Sequence, residues 1–402
     1  MLKMERQIKL QLIFLLLLPI IFSCTKQVKN QDSEPELVFE IAEEEAAGIV
    51  QEISLPEQFI TLIATGDNLY HDVMIRAGEQ GDYDTAYQEI KPLVTRADIA
   101  FINQETLLGG EEFGFSGYPQ FNSPQKLGQA IAAAGFNVVN HATNHIMDKG
   151  EKAVFVTMDF WDAFPQAAIL GIHRSAEARS LPVLVEKNGI KTGFLAYTYS
   201  TNGLPVPRDK PYLVSLINTE IMAREIDALR PLCDFLVVSM HWGEEYEHDY
   251  NRIQRNLSVF LAEHRVDLVI GHHPHVIQPV EYILRPDGRY MLCFYSLGNL
   301  ISAQTRPPTL LGAIAYVKIK KIPGPENEEP SFIFMDAGAI PVVTHYEKNF
   351  TGFKIYPLDT YTDELIKRHW INQWENRLTL EYLTDLSLRV FEGKEIRLNP
   401  FE

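Results

Sequence analysis

Five short polar segments of the sequence stand where apolar, strand-like runs end, and their side chains are of types that bind metal ions. In open α/β sheets, functional sites form at the edge where strands end, because the loops converge there. Three histidines within four residues are the most distinctive feature, since a histidine run has no packing rationale and neutral imidazole is the commonest nitrogen ligand. The segments are Thr65-Gly66-Asp67, Asn103-Gln104-Glu105, Asn144–Gly150, His241–Glu245 and Gly271–His275.

The segments together supply enough donors for a metal centre. Mixed nitrogen and oxygen donors suit Zn²⁺, Mn²⁺ or Fe better than Ca²⁺ or Mg²⁺, which prefer oxygen alone. Two ions about 3.5–4 Å apart, bridged by one carboxylate, lower the pKa of water and clamp the attacked phosphoryl group in two-metal hydrolases. We therefore expect two divalent transition-metal ions, of a metal left open, held by Asp67, Glu105, Asn144, His241, His273 and His275.

A histidine next to one of these ligand candidates suits the chemical step. His145 follows Asn144 but is not itself needed as a ligand, which suits a general acid or a donor to the transition state. Asp148 lies three residues later and is expected to fix the tautomer and orientation of His145. We therefore predict His145 and Asp148 as the catalytic residues.

Each segment also has an ordinary structural explanation when it is taken alone. A Gly-Asp pair after a strand is usually a turn whose Asp caps the next helix. Asp148 could simply favour a helix N-terminus, and an isolated His-Trp pair is more often packing than ligation. The functional interpretation depends on the five segments occurring together.

The elements that must position these segments alternate between strand-like and helix-like along the chain. Apolar β-branched runs predict strands, and helical periodicity predicts helices. The alternation, followed by a strand-rich stretch from Tyr290 to Ile340, predicts an α/β (α+β) layered domain. The predicted strands are Phe59–Thr65, Asp98–Asn103, Asn137–Asn140, Ala167–Leu170, Val183–Glu186, Thr192–Tyr199, Phe235–Met240 and Leu268–Ile270, and the predicted helices are Asp84–Ala97, Pro124–Ala134, Glu151–Phe164, Ile217–Leu229, Arg252–Glu263 and an amphipathic stretch within Asp363–Phe391.

The beginning of the chain predicts export. A basic head precedes the apolar run Leu12–Phe22, which is too short to span a hydrocarbon core and has the length of a signal-peptide apolar region. Cys24 ends a lipobox-like stretch, which predicts lipidation of that cysteine; an ordinary signal peptide or an uncleaved anchor with an incidental Cys24 is the alternative. The predicted boundaries are a signal peptide over 1–23, an acidic tether over 24–57, one catalytic domain over 58–345 and a helical tail over 346–402.

The composition excludes one class of partner. The formal net charge is −17 and no basic cluster is present, which argues against nucleic-acid binding. A polyanionic substrate must then be held locally, most simply by metal ions. Cys233 and Cys293 lie in apolar strand-like segments, which favours two small buried side chains, although spacing alone does not decide against a disulfide.

The ordered set of motifs resembles the CapA (poly-γ-glutamate capsule biosynthesis) family of the calcineurin-like metallophosphoesterase superfamily. The resemblance covers roughly Thr61 to Ala303 and rests on the motifs G-D, N-x-E, N-H-x-x-D-x-G, H-W-G-x-E-Y, G-x-H-P-H-V and Y-S-L-G-N. They read here as Gly66-Asp67, Asn103–Glu105, Asn144–Gly150, His241–Tyr246, Gly271–Val276 and Tyr295–Asn299.

The resemblance implies a four-layer β-sandwich flanked by helices, with metals at the sheet edge. It implies the same six ligand candidates and the same catalytic histidine, His145. We expect the further motif residues Asn103, Glu245, His272 and Asn299 to contact substrate or to support the ligands. This sequence departs from the superfamily at its first motif, D-x-H, where Leu69 replaces the histidine.

These features predict a metal-dependent, phosphoesterase-type hydrolase on the outer face of a bacterial membrane, acting in capsule or cell-envelope polymer biosynthesis. The expected partners are membrane lipid through Cys24, other capsule or envelope proteins, and an anionic polymer or phosphoester substrate. The alternative is a non-catalytic accessory protein that binds or exports an anionic polymer such as poly-γ-glutamate. Cleavage of an amide-type bond by the same centre and a purely structural lipoprotein are the further alternatives.

Overall fold

The computed structural model describes residues 58–322, 331–375, 378–391 and 397–398. The predicted signal peptide, Cys24 and the predicted tether lie outside the described residues. Within the described ranges, no helix is long and apolar enough to cross a membrane. Cys233 and Cys293 are both free thiols.

One sheet of the described chain carries the first three polar segments. It has nine strands, with the order β14-β13-β12-β1-β2-β3-β4, and with β11 added beside β1 and β15 beside β13. Strands β1 to β4 run parallel, whereas β12 pairs antiparallel with β1. The strands are β1 (Gln58–Asn68), β2 (Ile99–Gln104), β3 (Val138–Asn140), β4 (Ala168–Leu170), β11 (Asn299–Ile301), β12 (Leu311–Ile322), β13 (Ser331–Glu347), β14 (Thr351–Pro357) and β15 (Arg397–Leu398).

A second sheet carries the histidine-rich segments. It has six strands in the order β5-β6-β7-β8-β10-β9. The strands β6, β7, β8 and β10 run parallel, and antiparallel strands close both edges. The strands are β5 (Val183–Lys187), β6 (Ile190–Thr198), β7 (Phe235–His241), β8 (Leu268–His272), β9 (Val280–Leu284) and β10 (Tyr290–Phe294).

The two sheets pack face to face with helices outside them. Alternate residues of β7 separate two cores: Phe235 and Val237 join a cluster that contains both sheets, whereas Leu236 and Val238 join a cluster with α6 and α7. This period-2 alternation is typical of a strand buried on both faces. The predicted four-layer sandwich is therefore confirmed. The α-helices are α1 (Asp72–Gln80), α2 (Lys91–Arg96), α3 (Gln125–Ala134), α4 (Gly150–Trp161), α5 (Ala176–Ser180), α6 (Thr219–Leu229), α7 (Arg252–Glu263), α8 (Asp363–Arg368), α9 (Asn372–Glu375) and α10 (Leu380–Phe391).

The structure differs from the sequence prediction in two segments that were predicted to be helical. The single helix predicted over Asp84–Ala97 is a 3₁₀ turn at Asp84–Tyr87 followed by α2. Pro92 lies in the first turn of α2, and a helix does not continue through proline because the ring removes a donor and clashes with the preceding turn. The segment predicted as a helical tail also forms strand β14, whose Phe353 and Ile355 alternate with more exposed residues, which is typical of a strand with one buried face.

Two glycines allow the sheets to meet tightly at the ends of β1 and β8. A Cβ atom on Gly66 would overlap the carbonyl oxygen of Gly298, and one on Gly271 would overlap that of Tyr295. The turn through 295–298 therefore lies directly against both strand ends. This close approach brings the residues that follow Gly66 and Gly271 next to each other.

A buried histidine near the C-terminal helices predicts a pH-dependent stability. His369 is fully buried, its Nε2 donates to the Thr344 carbonyl (3.0 Å), and its Nδ1 accepts from the Ile371 N–H (3.2 Å). Protonation at Nδ1 would break the second bond, and burial lowers the pKa of His369 to about 3. In the unfolded chain His369 has an ordinary histidine pKa of about 6.5, so the unfolded chain binds the proton at a higher pH than the folded protein does. The contribution of neutral His369 to the free energy of unfolding is therefore fully present above about pH 6.5 and is lost progressively as the pH falls below that value.

We expect the free energy of unfolding to fall more steeply below pH 6.5 in the wild type than in His369→Gln, by about 1.4 kcal/mol per pH unit. Urea unfolding at pH 7, 6, 5 and 4 measures this slope. The control is His264→Gln, because His264 pairs with Asp227 at the surface and is only partly buried. Parallel profiles for the wild type and His369→Gln would contradict the prediction.

Candidate metal centre

The ends of strands from both sheets converge on one buried cluster. The first sheet contributes Asp67 at the end of β1, Glu105 directly after β2 and Asn144 in the turn after β3. The second sheet contributes its histidines from the end of β7 and the turn after β8. All six predicted ligand residues are buried and lie in this cluster: Asp67, Glu105, Asn144, His241, His273 and His275.

Asp67 is held by groups from both sheets. Its Oδ1 accepts from the Asn103 amide (2.8 Å), and its Oδ2 accepts from the backbone N–H of His273 (3.2 Å). The Nδ1 of His275 lies 3.1 Å from the same Oδ2. Burial raises the pKa of the Asp67 carboxyl, but hydrogen bonding and charge from His272 and His275 outweigh it and hold the pKa well below its ordinary value. Asp67 is therefore an ionised carboxylate.

Glu105 lies at the centre of the cluster with both carboxylate oxygens free of hydrogen bonds to the described residues. Its Oε1 is 3.7 Å from Nε2 of His241 and 3.9 Å from Nε2 of His275. Burial, reinforced by the charge of Asp67, raises the pKa of Glu105 well above its ordinary value. Burying a carboxylate that accepts no hydrogen bonds costs free energy, so we expect a cation to bind at this position.

The donor atoms form two overlapping groups. Asp67, Glu105 and His275 form one, and Glu105, His241 and His273 form the other; within each group the donor atoms lie within 4.8 Å of one another. Glu105 belongs to both. This is the arrangement that a carboxylate bridging two ions requires. A third group joins the exposed Glu245 to His273 and His275 on the open side.

The chemistry of the donors fits a divalent transition metal. Burial lowers the pKa of His273 to about 3, and burial followed by the charge of His273 lowers the pKa of His241 well below its ordinary value. Their imidazoles are therefore neutral, and Nδ1 of each has no hydrogen-bond partner in the part of the chain that is described. Burial opposes protonation of His275, but Glu105 and Asp67 raise its pKa to about 9. The neutral imidazoles of His241 and His273 and the carboxylate of Asp67 are donors that Zn²⁺, Mn²⁺ and Fe prefer, whereas His275 and Glu105 would release a proton when a metal ion binds.

The turn after β8 is strained in a way that places its histidines. His273 has φ +99° and His275 has φ +59°, values that residues with a side chain rarely adopt. The strain directs the His273 N–H to Asp67 and both rings into the cluster. Backbone strain of this kind concentrates at functional sites, where the surrounding structure holds it in place.

The predicted catalytic pair lies beside this cluster. Nδ1 of His145 is 2.8 Å from Oδ2 of Asp148, which also accepts from the Phe121 N–H (2.7 Å). The Phe121 ring packs edge-on against His145, with centroids 4.6 Å apart. Asp148 and Phe121 therefore fix the orientation of the imidazole, and its Nε2 has no hydrogen bond to the described residues. Their catalytic roles stay predictions.

The additional motif residues surround the donors. Asn103 accepts from Asn140 (2.6 Å) while it donates to Asp67, and Oδ1 of Asn299 lies 3.0 Å from Nδ1 of His275. His272 stacks on Phe101 with its Nδ1 3.5 Å from Oδ1 of Asp67. These contacts orient Asp67 and His275. The side chain of Leu69, two residues after Asp67, is also buried.

Sequence reasoning missed several residues that contact the cluster. Oδ1 of Asn202 accepts from the Asn144 amide, and Nδ2 of Asn202 lies 3.3 Å from Nδ1 of His145. Asn202 stands in a polar segment that follows β6, which is the same signal that marked the other five segments. Gln304 bridges Asn299 and the hydroxyl of Tyr246, and no local pattern in the sequence distinguishes it.

Comparison with known proteins places the chain in a family. The sequence profile described as bacterial capsule synthesis protein PGA_cap matches residues 61–304. The PGA biosynthesis protein CapA of Bacillus subtilis (strain 168) is 27% identical over 264 residues, which cover 64% of this chain and 67% of that protein. The capsule biosynthesis protein CapA of Bacillus anthracis is 30% identical over 183 residues, which cover 44% of this chain and 42% of that protein.

Solved structures show more distant similarity. The NAD nucleotidase NadN of Haemophilus influenzae superimposes with a TM-score of 0.44 at 11% identity, over 85% of this chain and 65% of that one. A putative 5'-nucleotidase from Staphylococcus aureus gives a TM-score of 0.40 at 13% identity, over 81% and 58%. The profile match spans more than half of the chain and includes all five polar segments, and the chain therefore belongs to the CapA-type bacterial capsule synthesis (PGA_cap) family.

Proposed function

We propose that the protein is a metal-dependent hydrolase of the phosphoesterase type that acts in capsule or cell-envelope polymer biosynthesis. The observation that carries the proposal is the Glu105 carboxylate. It is buried, has no hydrogen-bond partner among the described residues, and is shared by two groups of metal-binding side chains. A structural core gains nothing from such a carboxylate, whereas a centre that holds two cations requires it.

In such a site, some side chains would hold the metal ions and another would transfer a proton. Asp67 and His275 on one side, and Asn144, His241 and His273 on the other, would hold divalent ions about Glu105. Bound ions of this kind supply Lewis-acid polarisation of a phosphoryl oxygen and a water of lowered pKa. His145 is positioned through Nδ1 by Asp148, so its Nε2 is the nitrogen that donates a hydrogen bond or a proton to the departing oxygen.

Metal content and turnover test the proposal together. Residues from Thr25 onward, without Cys24, would be purified and analysed for bound Mn, Zn and Fe by elemental analysis. A generic phosphodiester and a phosphomonoester would then be assayed with added Mn²⁺. About two equivalents of transition metal with metal-dependent turnover support the hydrolase. A metal-free protein without turnover contradicts it.

A non-catalytic role in binding or exporting an anionic polymer such as poly-γ-glutamate is the second candidate. The names of the Bacillus relatives and Leu69 in place of the superfamily histidine favour it. An accessory protein has no need of stoichiometric transition metal, so the same elemental analysis separates the two functions. Polymer binding that persists after chelation, without turnover of an ester or an amide, would establish the accessory role.

We further propose that the protein is an extracytoplasmic lipoprotein of the bacterial envelope, anchored through Cys24. The support is the lipobox-like stretch that ends at that cysteine. Fractionation of cells that express the full chain or Cys24→Ser tests the anchor. Wild-type protein in the membrane fraction and released variant protein support lipidation, whereas identical fractionation argues against it. Association with other capsule proteins is part of the same proposal and is testable by crosslinking in those cells.

A further inference from the structure

An exposed arginine stacks on a tyrosine that lies next to the candidate metal centre. The Cζ atom of Arg306 is 4.2 Å from the centroid of the Tyr246 ring. Arg306 is exposed, and its guanidinium forms no salt bridge with any residue in the described ranges. Its position beside the buried donors, in a chain of net charge −17, distinguishes it from arginines elsewhere on the surface.

Tyr246 is fixed relative to the metal-binding side chains. Its N–H donates to the carbonyl of Pro274 (2.8 Å), which lies between the two histidines of the strained turn. Its own backbone is also strained, with φ +71°, and its ring centroid lies 6.2 Å from that of His275. Tyr246 belongs to the segment after β7, and its backbone hydrogen bond ties it to the turn after β8 that carries two of the donors.

A chain of side-chain hydrogen bonds joins the Tyr246 hydroxyl to the site. The hydroxyl accepts from Nε2 of Gln304 (3.4 Å), and Oε1 of Gln304 accepts from Nδ2 of Asn299 (2.9 Å). Oδ1 of the same asparagine lies 3.0 Å from Nδ1 of His275. The Tyr246 side chain, on which Arg306 stacks, is thus linked to His275 through the side-chain amides of Gln304 and Asn299.

Exposed charges of both signs lie near the candidate metal centre. Glu245 is exposed, its carboxylate belongs to the donor group with His273 and His275, and it lies close to the Tyr246 side chain. Arg306 supplies a cation on the Tyr246 ring. A guanidinium stacked on an aromatic face keeps its N–H edges available, and those edges bind phosphate or carboxylate oxygens in pairs. An anion that extends from the metal centre is attracted to Arg306 and repelled by Glu245.

We propose that Arg306, held on the Tyr246 ring, binds a second anionic group of the substrate, a phosphate or a carboxylate, beside the group held at the metal centre. The inference rests on the proposed hydrolase function in one respect: that function identifies the group held at the metal centre as a phosphoester. It defines the substrate class as a polyanion rather than a simple monoanionic phosphodiester.

Equilibrium binding of four small anions tests this assignment without turnover. Inorganic phosphate and methylphosphonate offer one anionic group, pyrophosphate offers a second phosphate, and phosphonoacetate offers a carboxylate. Calorimetric titrations would use protein from Thr25 onward at a fixed free Mn²⁺ concentration. We expect Arg306→Gln to weaken pyrophosphate or phosphonoacetate about tenfold and to leave phosphate and methylphosphonate within about twofold. The ligand that loses affinity identifies the second group as a phosphate or a carboxylate.

The matched control is Arg224→Gln, which removes the same charge from an exposed position on α6. It should leave all four affinities unchanged. Tyr246→Leu should reproduce the loss caused by Arg306→Gln, and the double variant should be no weaker than either single variant, because both remove one interaction. Tyr246→Phe, which keeps the ring, should retain most of the affinity.

Three outcomes would overturn the assignment: unchanged affinities in Arg306→Gln, an equal loss for the ligands with one anionic group, or the same loss in Arg224→Gln. A wild-type protein that binds none of the four anions would overturn it as well. A failure of ester hydrolysis in the wild type would remove the proposed enzymatic function, but it would not alter these titrations. The two proposals can therefore fail separately.

Discussion

Replacing Glu105 by glutamine is expected to remove most of the bound transition metal and to lower metal-dependent turnover by about a thousandfold or more. Residues that merely support metal ligands typically contribute 10–100-fold to affinity or activity, and Glu105 is a candidate ligand common to both donor groups. Glutamine keeps the shape of the side chain and removes the negative charge. Elemental analysis and the phosphodiester assay measure the two effects.

The same variant should gain stability when metal is removed. In the chelated wild type, the buried Glu105 carboxylate has no hydrogen-bond donor among the described residues, so replacement by a neutral amide should raise the free energy of unfolding by about 1–3 kcal/mol. The control Glu112→Gln alters an exposed carboxylate and should change neither metal content nor stability. A Glu105→Gln protein that retains full metal and wild-type turnover would contradict the bridging role.

Replacing His145 by alanine is expected to lower kcat by about 10²–10⁴-fold while metal content stays unchanged. This decrease in kcat is the size expected when an enzyme loses its general acid or a hydrogen-bond donor to the transition state. His145 belongs to none of the metal-binding groups found among the described residues, so its removal should spare the ions. Parallel measurements of kcat, KM and bound metal separate a chemical role from a ligand role.

Asp148→Asn provides the graded comparison. Asparagine can still accept from the Phe121 N–H, but it no longer offers a carboxylate to His145. We expect kcat to fall about 10–100-fold, less than in His145→Ala, and we expect the double variant to be no slower than His145→Ala because Asp148 acts through that histidine. Loss of metal in His145→Ala, or full activity in that variant, would argue against the assignment.

Much of the fold was predictable because its strands bury both faces. Runs such as Phe235–His241 are mostly apolar and fully buried, and the polar residues that end them are easy to locate. Helix α1 (Asp72–Gln80) was missed because it is only 9 residues long and closely follows a candidate ligand segment. Strand β14 was missed, although it forms a hairpin with the preceding strand β13, because its segment was assigned to a helical tail.

The composition of the cluster was predictable, whereas its supporting contacts were not. Asp67, Glu105 and the histidines follow strands that run to one edge, so local sequence brings them together. The contacts of Asn202, Gln304 and Arg306 depend on how separate loops fold over that edge. The positive φ angles of His273 and His275 could not be predicted from residue propensities either, because the packing of the turn imposes them.

The division of the donors between two sheets has a consequence for the order of folding. Asp67 and His275 are separated by 208 residues, which take about 10–40 s to synthesise at ordinary rates of translation. A growing chain that ends before Gly271 contains the carboxylates but lacks the last two histidines. An ion that needs donors from both sheets would therefore be captured only after the second sheet has docked on the first. Because a bound ion stabilises only the state that binds it, such an ion would stabilise the completed fold rather than nucleate folding.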